Sequence, residues 1–278
     1  MWVLTIACPD RPGIVHAVSG GIVTAGGNIV EAHQFSSLDT GRFFQRIQIE
    51  TAESDREVIA GVLAPVLGQL RADWKLVPRD RPTRTLVLAS KAEHVVSDLL
   101  YRRRSGYLNI DVPLVLANHP DLEPVARFYG VDFEHHPVTP DTKPAFEQRV
   151  RDLVRDLDIE LVVLARYMQI LSPELCSDLA GRVINIHHSF LPGFKGANPY
   201  RQAHARGVKL IGATAHFVTP DLDEGPIIEQ NVVRVDHTKT PQQLMAIGQD
   251  QESSTLREAV RLFAEHRVFL DGTRTVIF

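Results

Sequence analysis

Leu161-Val162-Val163-Leu164 is an unbroken apolar run with charged residues close on either side, Glu160 before it and Arg166 after it. A strand with one wet face alternates apolar and polar residues. A run without alternation suits a parallel strand covered on both faces. Strands of this kind are expected at Thr85–Ala89, Val112–Ala117, Leu161–Leu164 and Val183–Ile186. Between and beyond them, helical patterns cover Glu93–Arg103, Leu122–Tyr129, Ala145–Leu157, Pro173–Leu179 and Pro241–His266. The alternation across residues 84–278 predicts a doubly wound, mostly parallel α/β sheet with ligands at the carboxyl ends of its strands. Leu210–Val218 and Ile227–Val233 read as a later antiparallel pair.

The first part of the chain has a different rhythm. Strand Val3–Ala7 leads into the turn Pro9-Asp10-Arg11-Pro12-Gly13 and a helix over Ile14–Thr24, closed by Gly26-Gly27-Asn28. Ile29–Ser37 and Phe43–Glu50 form a hairpin around Asp39-Thr40-Gly41. Helix Glu57–Leu70 and strand Trp74–Val77 complete a ferredoxin-like split βαβ order. Pro78-Arg79-Asp80-Arg81-Pro82 is polar and proline-rich, and reads as a linker. The expected domains are therefore residues 1–80 and 81–278.

Composition removes several function classes. The net charge is −4, which argues against nucleic acid as a partner, because phosphate backbones demand clustered positive charge. No apolar run reaches the roughly 18 residues that suggest a membrane span. Two distant cysteines, Cys8 and Cys176, form neither a disulfide framework nor a zinc knuckle, and the N-terminus lacks a signal-peptide pattern. A reducing cytoplasm is the expected location. Arg102-Arg103-Arg104 reads as a solvated helix C-terminus matched to the helix dipole; docking of an anionic substrate tail is the sharper alternative.

Two stretches carry chemistry. Ile184-Asn185-Ile186-His187-His188-Ser189 sits where a buried strand meets a Pro/Gly loop. Residues two apart on a strand point the same way, so Asn185 and His187 face one site. Asn donates two N–H groups, and His exchanges protons near neutrality. The pair suits an oxyanion developing on an acyl carbon. The second stretch, His216 to Pro226, contains Asp221 and Asp223 in an acidic loop between two strands. A carboxylate there can reach the first stretch if the strands are neighbours. Taken singly, each stretch also reads as ordinary structure: a hydrogen-bonded core histidine, or a solvated Asx turn. No His-x-x-x-His or Cys-x-x-Cys spacing supports the metal reading of His187, His188, His216 and Asp223, so catalysis without metal is expected.

Taken together the two stretches resemble the folate-dependent formyltransferase fold. The shared pattern stands here as Asn185, His187, Ser189, Leu191, Pro192, Phe194, Gly196, His216, Val218, Asp221, Asp223 and Gly225. The resemblance implies that Asn185, His187 and Asp223 are catalytic, with His216 and Asp221 near the site. It also implies that the Leu164–Ser172 segment, through Met168, Gln169, Ile170 and Leu171, holds the pterin ring by its backbone. The N-terminal part, with Pro9 to Val15 and Gly26-Gly27-Asn28-Ile29, resembles an ACT domain. ACT domains commonly pair through their sheets and bind amino acids.

Three members of the fold are distinguishable. A glycinamide ribonucleotide formyltransferase needs a glycine-rich phosphate loop after its first strand, whereas Ala89-Ser90-Lys91-Ala92-Glu93-His94 contains no glycine. A methionyl-tRNA formyltransferase carries a nucleic-acid-binding domain. Here the stretch after Thr240 is short and the charge is wrong for tRNA. The formyltetrahydrofolate deformylase family joins an ACT domain to this fold and resembles the whole chain, including Ser90-Lys91-x-x-His94 and Asn185 to Pro192. That resemblance implies hydrolysis of 10-formyltetrahydrofolate to tetrahydrofolate and formate, linked to purine biosynthesis. The folate is the substrate and no cofactor is expected. It further implies a homo-oligomer and an amino-acid effector such as methionine or glycine.

Overall fold

A computed structural model describes residues 1–189 and 199–278. The chain divides into two compact units: Met1–Arg81 with Glu265–Phe278, and Pro82–Ala264.

The first unit runs β1 (Trp2–Pro9), α1 (Ile14–Thr24), β2 (Asn28–Ser37), β3 (Arg42–Glu50), α2 (Arg56–Gln69) and β4 (Asp73–Pro78). These strands form an antiparallel sheet in the order β2-β3-β1-β4, the ferredoxin-like arrangement. Ile14, Val18 and Ile22 recur every four residues on α1, as do Ile59, Leu63 and Leu67 on α2. That spacing puts one apolar stripe of each helix onto Leu4, Ile6, Ile47 and Ile49 of the sheet. The Asp55 carboxylate caps α2 by accepting from the Glu57 N–H.

The second unit runs β5 (Thr83–Ala89), α3 (Glu93–Arg104), β6 (Ile110–Ala117), α4 (Glu123–Phe128), β7 (Asp132–His135), α5 (Lys143–Asp156), β8 (Leu161–Ala165), α6 (Pro173–Asp178), β9 (Val183–His187), α7 (Pro199–Ala205), β10 (Leu210–Phe217), β11 (Ile227–Arg234) and α8 (Pro241–Ala264). Its sheet has the order β11-β10-β9-β8-β5-β6-β7. The strands from β9 to β7 are parallel, and β10 and β11 add an antiparallel edge. All five residues of β8 are buried, which accounts for the apolar run noted in the sequence. The chain builds outward from β5 through β6 to β7, then crosses to the other side of β5 with β8. Strand order therefore reverses between β5 and β8, the place where open α/β sheets form a ligand crevice.

Three short elements lay outside the sequence reading: β7, α7, and a C-terminal hairpin of β12 (Val268–Asp271) and β13 (Arg274–Ile277). The reading ran the last helix to His266 and the second domain to residue 278. The helix instead ends at Ala264, and His266 takes a left-handed φ of 55°. Residues 265–278 group with the first unit. Phe269 packs edge-on to Phe44 with ring centroids 5.8 Å apart, Ser37 Oγ donates to Asp271 at 2.7 Å, and Arg267 pairs with Glu31 at 3.1 Å. Among the described residues, no helix is long and apolar enough to cross a membrane.

One core contact bears on the site. Phe146 on α5 is fully buried and stacks on Tyr167 at 5.6 Å and 11°, in the segment that follows β8. Phe146→Ala is expected to cost about 3–5 kcal/mol, the usual range for deleting a buried ring. A lowered midpoint in urea unfolding checks this.

Candidate active site

The site is built on the β9–β10 register. The two strands run antiparallel with Asn185 opposite His216 and His187 opposite Thr214. Asn185 and His187 sit two apart on β9, so their side chains share one face of the sheet with His216. Asn185 Nδ2 lies 3.3 Å from His216 Nε2. His216 Nδ1 lies 2.8 Å from the Phe217 carbonyl oxygen, which only accepts. The Nδ1 position of His216 therefore carries a proton. In the neutral ring Nε2 is then a lone pair that accepts from the Asn185 amide. One Asn185 N–H is committed in this way, and the second is available to the cavity that Asn185 lines.

Asp223 reaches this pair from the loop between β10 and β11. Its backbone takes the left-handed φ of 59°, which Asp tolerates better than most residues. Gly225 makes the loop possible. A Cβ there would collide with the Phe217 carbonyl at the end of β10. The Asp223 carboxylate stands 3.1 Å from His187 Nδ1 and 3.7 Å from His216 Nε2. The hydrogen bond from His187 outweighs burial and holds the Asp223 carboxyl well below the usual carboxylate range. With Nδ1–H of His187 donated to Asp223, Nε2 is the free ring position. It is buried and has no hydrogen-bond partner among the described residues.

A cavity of about 290 Å³ opens over these groups. Its lining includes every residue picked from sequence: Met168, Gln169, Ile170 and Leu171 from the segment after β8, Asn185, His187 and His216 from the strands, and Asp221 and Asp223 from the loop. Met168 and Ile170 are more than half exposed. Leu191, Pro192, Phe194 and Gly196 of the sequence pattern lie outside the described residues. Among the described residues, no three His, Cys, Asp or Glu side chains converge as a set able to hold a metal.

A second polar cluster behind the site was not anticipated. His188 stacks on His187 at 4.9 Å and 22°. Burial, then the positive Arg166, push the His188 pKa down to about 4, so this ring is neutral at pH 7. Arg166 Nη1 donates to His188 Nδ1 at 2.9 Å, and its Nε lies 3.4 Å from Glu252 Oε2. Glu252 also accepts from His94 at 2.9 Å and from the Tyr200 hydroxyl at 2.8 Å. Burial opposes its charge, yet His94, Arg166 and Tyr200 prevail and keep it below the usual carboxylate range. Gly248 stands one turn before Glu252 on α8, and a Cβ there would clash with the Tyr200 ring. A glycine inside a long helix was the available sequence signal for this close approach.

Comparison with known proteins follows the same division of the chain. Residues 83–260 match the formyl transferase family model, and residues 2–67 match the ACT domain. A formyltetrahydrofolate deformylase of Corynebacterium sp. is 49% identical over 99% of this chain and 97% of its own length. The chain belongs to the formyltetrahydrofolate deformylase family. The crystal structure of the Burkholderia mallei deformylase superposes with a TM-score of 0.96 at 48% identity, covering 100% of this chain and 99% of that one. A glycinamide ribonucleotide transformylase from Symbiobacterium toebii covers 71% of this chain and 95% of its own, with a TM-score of 0.65 at 34% identity. Likeness to the deformylases thus extends over the full chain, whereas likeness to the transformylase covers 71% of it.

The depressed Asp223 pKa makes a stability prediction. A carboxyl with a lowered folded-state value stabilises the fold above its unfolded value, about 3.9, and that contribution is lost as pH falls toward the folded value. Wild type should therefore be more stable than Asp223→Asn at neutral pH, with the difference shrinking below about pH 4. Urea titrations at stepped pH check it.

Proposed function

We propose that this enzyme hydrolyses 10-formyltetrahydrofolate to tetrahydrofolate and formate with Asn185, His187 and Asp223 as its catalytic set. The observation that carries the reading is the buried Nε2 of His187, without a hydrogen-bond partner among the described residues, on a cavity-lining ring whose other nitrogen faces the Asp223 carboxylate.

The N10-formyl group is an amide, so water must add to its carbon and an amine must leave. His187 Nε2 takes a proton from the attacking water. The resulting imidazolium is stabilised by Asp223, which stays ionised because its pKa is depressed. The free Asn185 N–H donates to the tetrahedral oxyanion. His187 then returns the proton to N10 as the C–N bond breaks, and formate and tetrahydrofolate separate. His216 acts by fixing the Asn185 amide. Neutral His188 stacks on His187 without adding a repelling charge. The segment Met168 to Leu171 would hold the pterin, with Asp221 at the cavity rim. No cofactor takes part in this scheme.

The finer assignments follow the family. The first unit would bind an amino acid such as methionine or glycine at the loop between β1 and α1. Pairing of copies would use the edge strand β2, where Ile29, Val30 and Phe35 are exposed. Buried, unpaired Cys8 and Cys176 suit a reducing cytoplasm.

Asn185→Ala and Asp223→Ala are each expected to lower kcat by about a hundredfold or more, the usual cost of losing an oxyanion donor or its equivalent. Substrate affinity should remain close to wild type. Stopped-flow turnover and equilibrium binding check the pair, and near-normal kcat in both would remove the assignment. Thermal melting of the whole protein across the amino acids should show a rise with methionine or glycine; a flat response counts against an effector site.

A further inference from the structure

We infer that Arg166, held by the buried Glu252 carboxylate, walls off the acceptor side of the active site and so reserves the formyl group for water. The inference rests on the hydrolytic reading above and adds the residues that decide the acceptor.

An open α/β sheet offers its ligand crevice where strand order reverses, here between β5 and β8. In this chain that crevice is occupied by protein. Ser90, just after β5, accepts from the Met168 N–H at 3.0 Å and ties the two strand ends together. Arg166, just after β8, has a left-handed φ of 57°. Glycine adopts that conformation freely, whereas a residue with a side chain adopts it at a cost. An arginine at such a position is explained by what its guanidinium does.

Through Glu252 that guanidinium links the β8 end to His94, which follows β5. One nitrogen donates to His188, beside the catalytic His187, and another faces Glu252. Glu252 is 1% exposed, so its charge is tolerable only with partners, and it has three: Arg166, His94 and Tyr200. His94 belongs to the first turn of α3, where open α/β folds often receive an anion. Its ring is already committed to a protein carboxylate. Tyr200 reaches Glu252 only because Gly248 leaves room. The set thus spans α3, the β8 and β9 ends, α7 and α8, and Arg166 meets His187 through the stacked His188, all three lining the cavity. Water needs no such passage. An amine acceptor large enough to need its own subsite would have to displace the guanidinium.

Opening the wall should let an amine compete. The amine nitrogen would attack the formyl carbon, the C–N10 bond would break, and the amine proton would pass to N10. The products would be a formamide and tetrahydrofolate in place of formate and tetrahydrofolate.

The test uses the full protein, 10-formyltetrahydrofolate and glycinamide as the probe amine, with N-formylglycinamide and formate separated by mass spectrometry. Wild type should give formate at every glycinamide concentration. Arg166→Gly relieves the backbone and removes the guanidinium; Arg166→Asn removes it while tolerating the left-handed backbone. In either variant N-formylglycinamide should appear and grow with glycinamide to about tenfold or more above the detection limit that bounds wild type, within the range that pocket fit controls. Formate as the sole product of both variants would overturn the inference. So would loss of both products from variants with native melting curves, since Arg166 would then belong to the hydrolytic machinery. Failure of wild type to release formate would instead sink the functional reading beneath it.

Discussion

The contact between His187 Nδ1 and Asp223 Oδ2 is the constraint around which the second unit is organised. It needs a histidine at the last residue of a buried parallel strand and a carboxylate from the loop that follows the neighbouring strand β10. Strand β9 supplies the first requirement: its pairing with β10 sets Asn185 against His216 and His187, its last residue, against Thr214. The left-handed backbone of Asp223 and the missing Cβ of Gly225 supply the second. A charge placed in so enclosed a setting is costly unless paired. Two imidazoles surround this one, and the consequence is a cavity-lining histidine whose second nitrogen has no hydrogen-bond partner among the described residues.

A second buried carboxylate repeats this logic with a different outcome. Asp223 has partners that can exchange protons, and it sits at the cavity. Glu252 has Arg166, His94 and Tyr200, and it sits behind the cavity as an anchor. The two clusters meet at the stacked rings of His187 and His188. One ring has its proton fixed by a carboxylate, and the other has its lone pair fixed by a guanidinium. Neighbouring histidines in sequence thus acquire opposite duties from the partners the fold gives them.

The legible parts of this structure were those governed by local pattern. The apolar runs that became β5, β6, β8 and β9 carry their own period, and the helices of the first unit announce themselves through spacing and the Gly26-Gly27-Asn28 stop. Asn185 and His187 were readable because strand period two is a local rule. Their meeting with Asp223 was expected only if the strands proved neighbours, which is a tertiary fact. The roles of the three came from resemblance. What stayed hidden has a physical reason in each case. The strand β7 is four residues of mixed polarity at a sheet edge, where burial imposes no pattern. The hairpin of β12 and β13 carries an Asp271-Gly272 turn, a recognisable signal, but its stability comes from packing such as Phe269 on Phe44. Glu252 lies in the polar run Gln249 to Glu252 and looks like a solvated helix face. Only the fold reveals that it is buried against residues 52 to 158 positions away.

In the proposed reaction water, activated at His187, is the group that receives the formyl carbon. A single turnover in ¹⁸O-enriched water, with enzyme and 10-formyltetrahydrofolate and no added acceptor, tests it most directly. The account predicts one heavy oxygen in each formate and one tetrahydrofolate per formate. Unlabelled formate, or no formate until an amine is supplied, would contradict it.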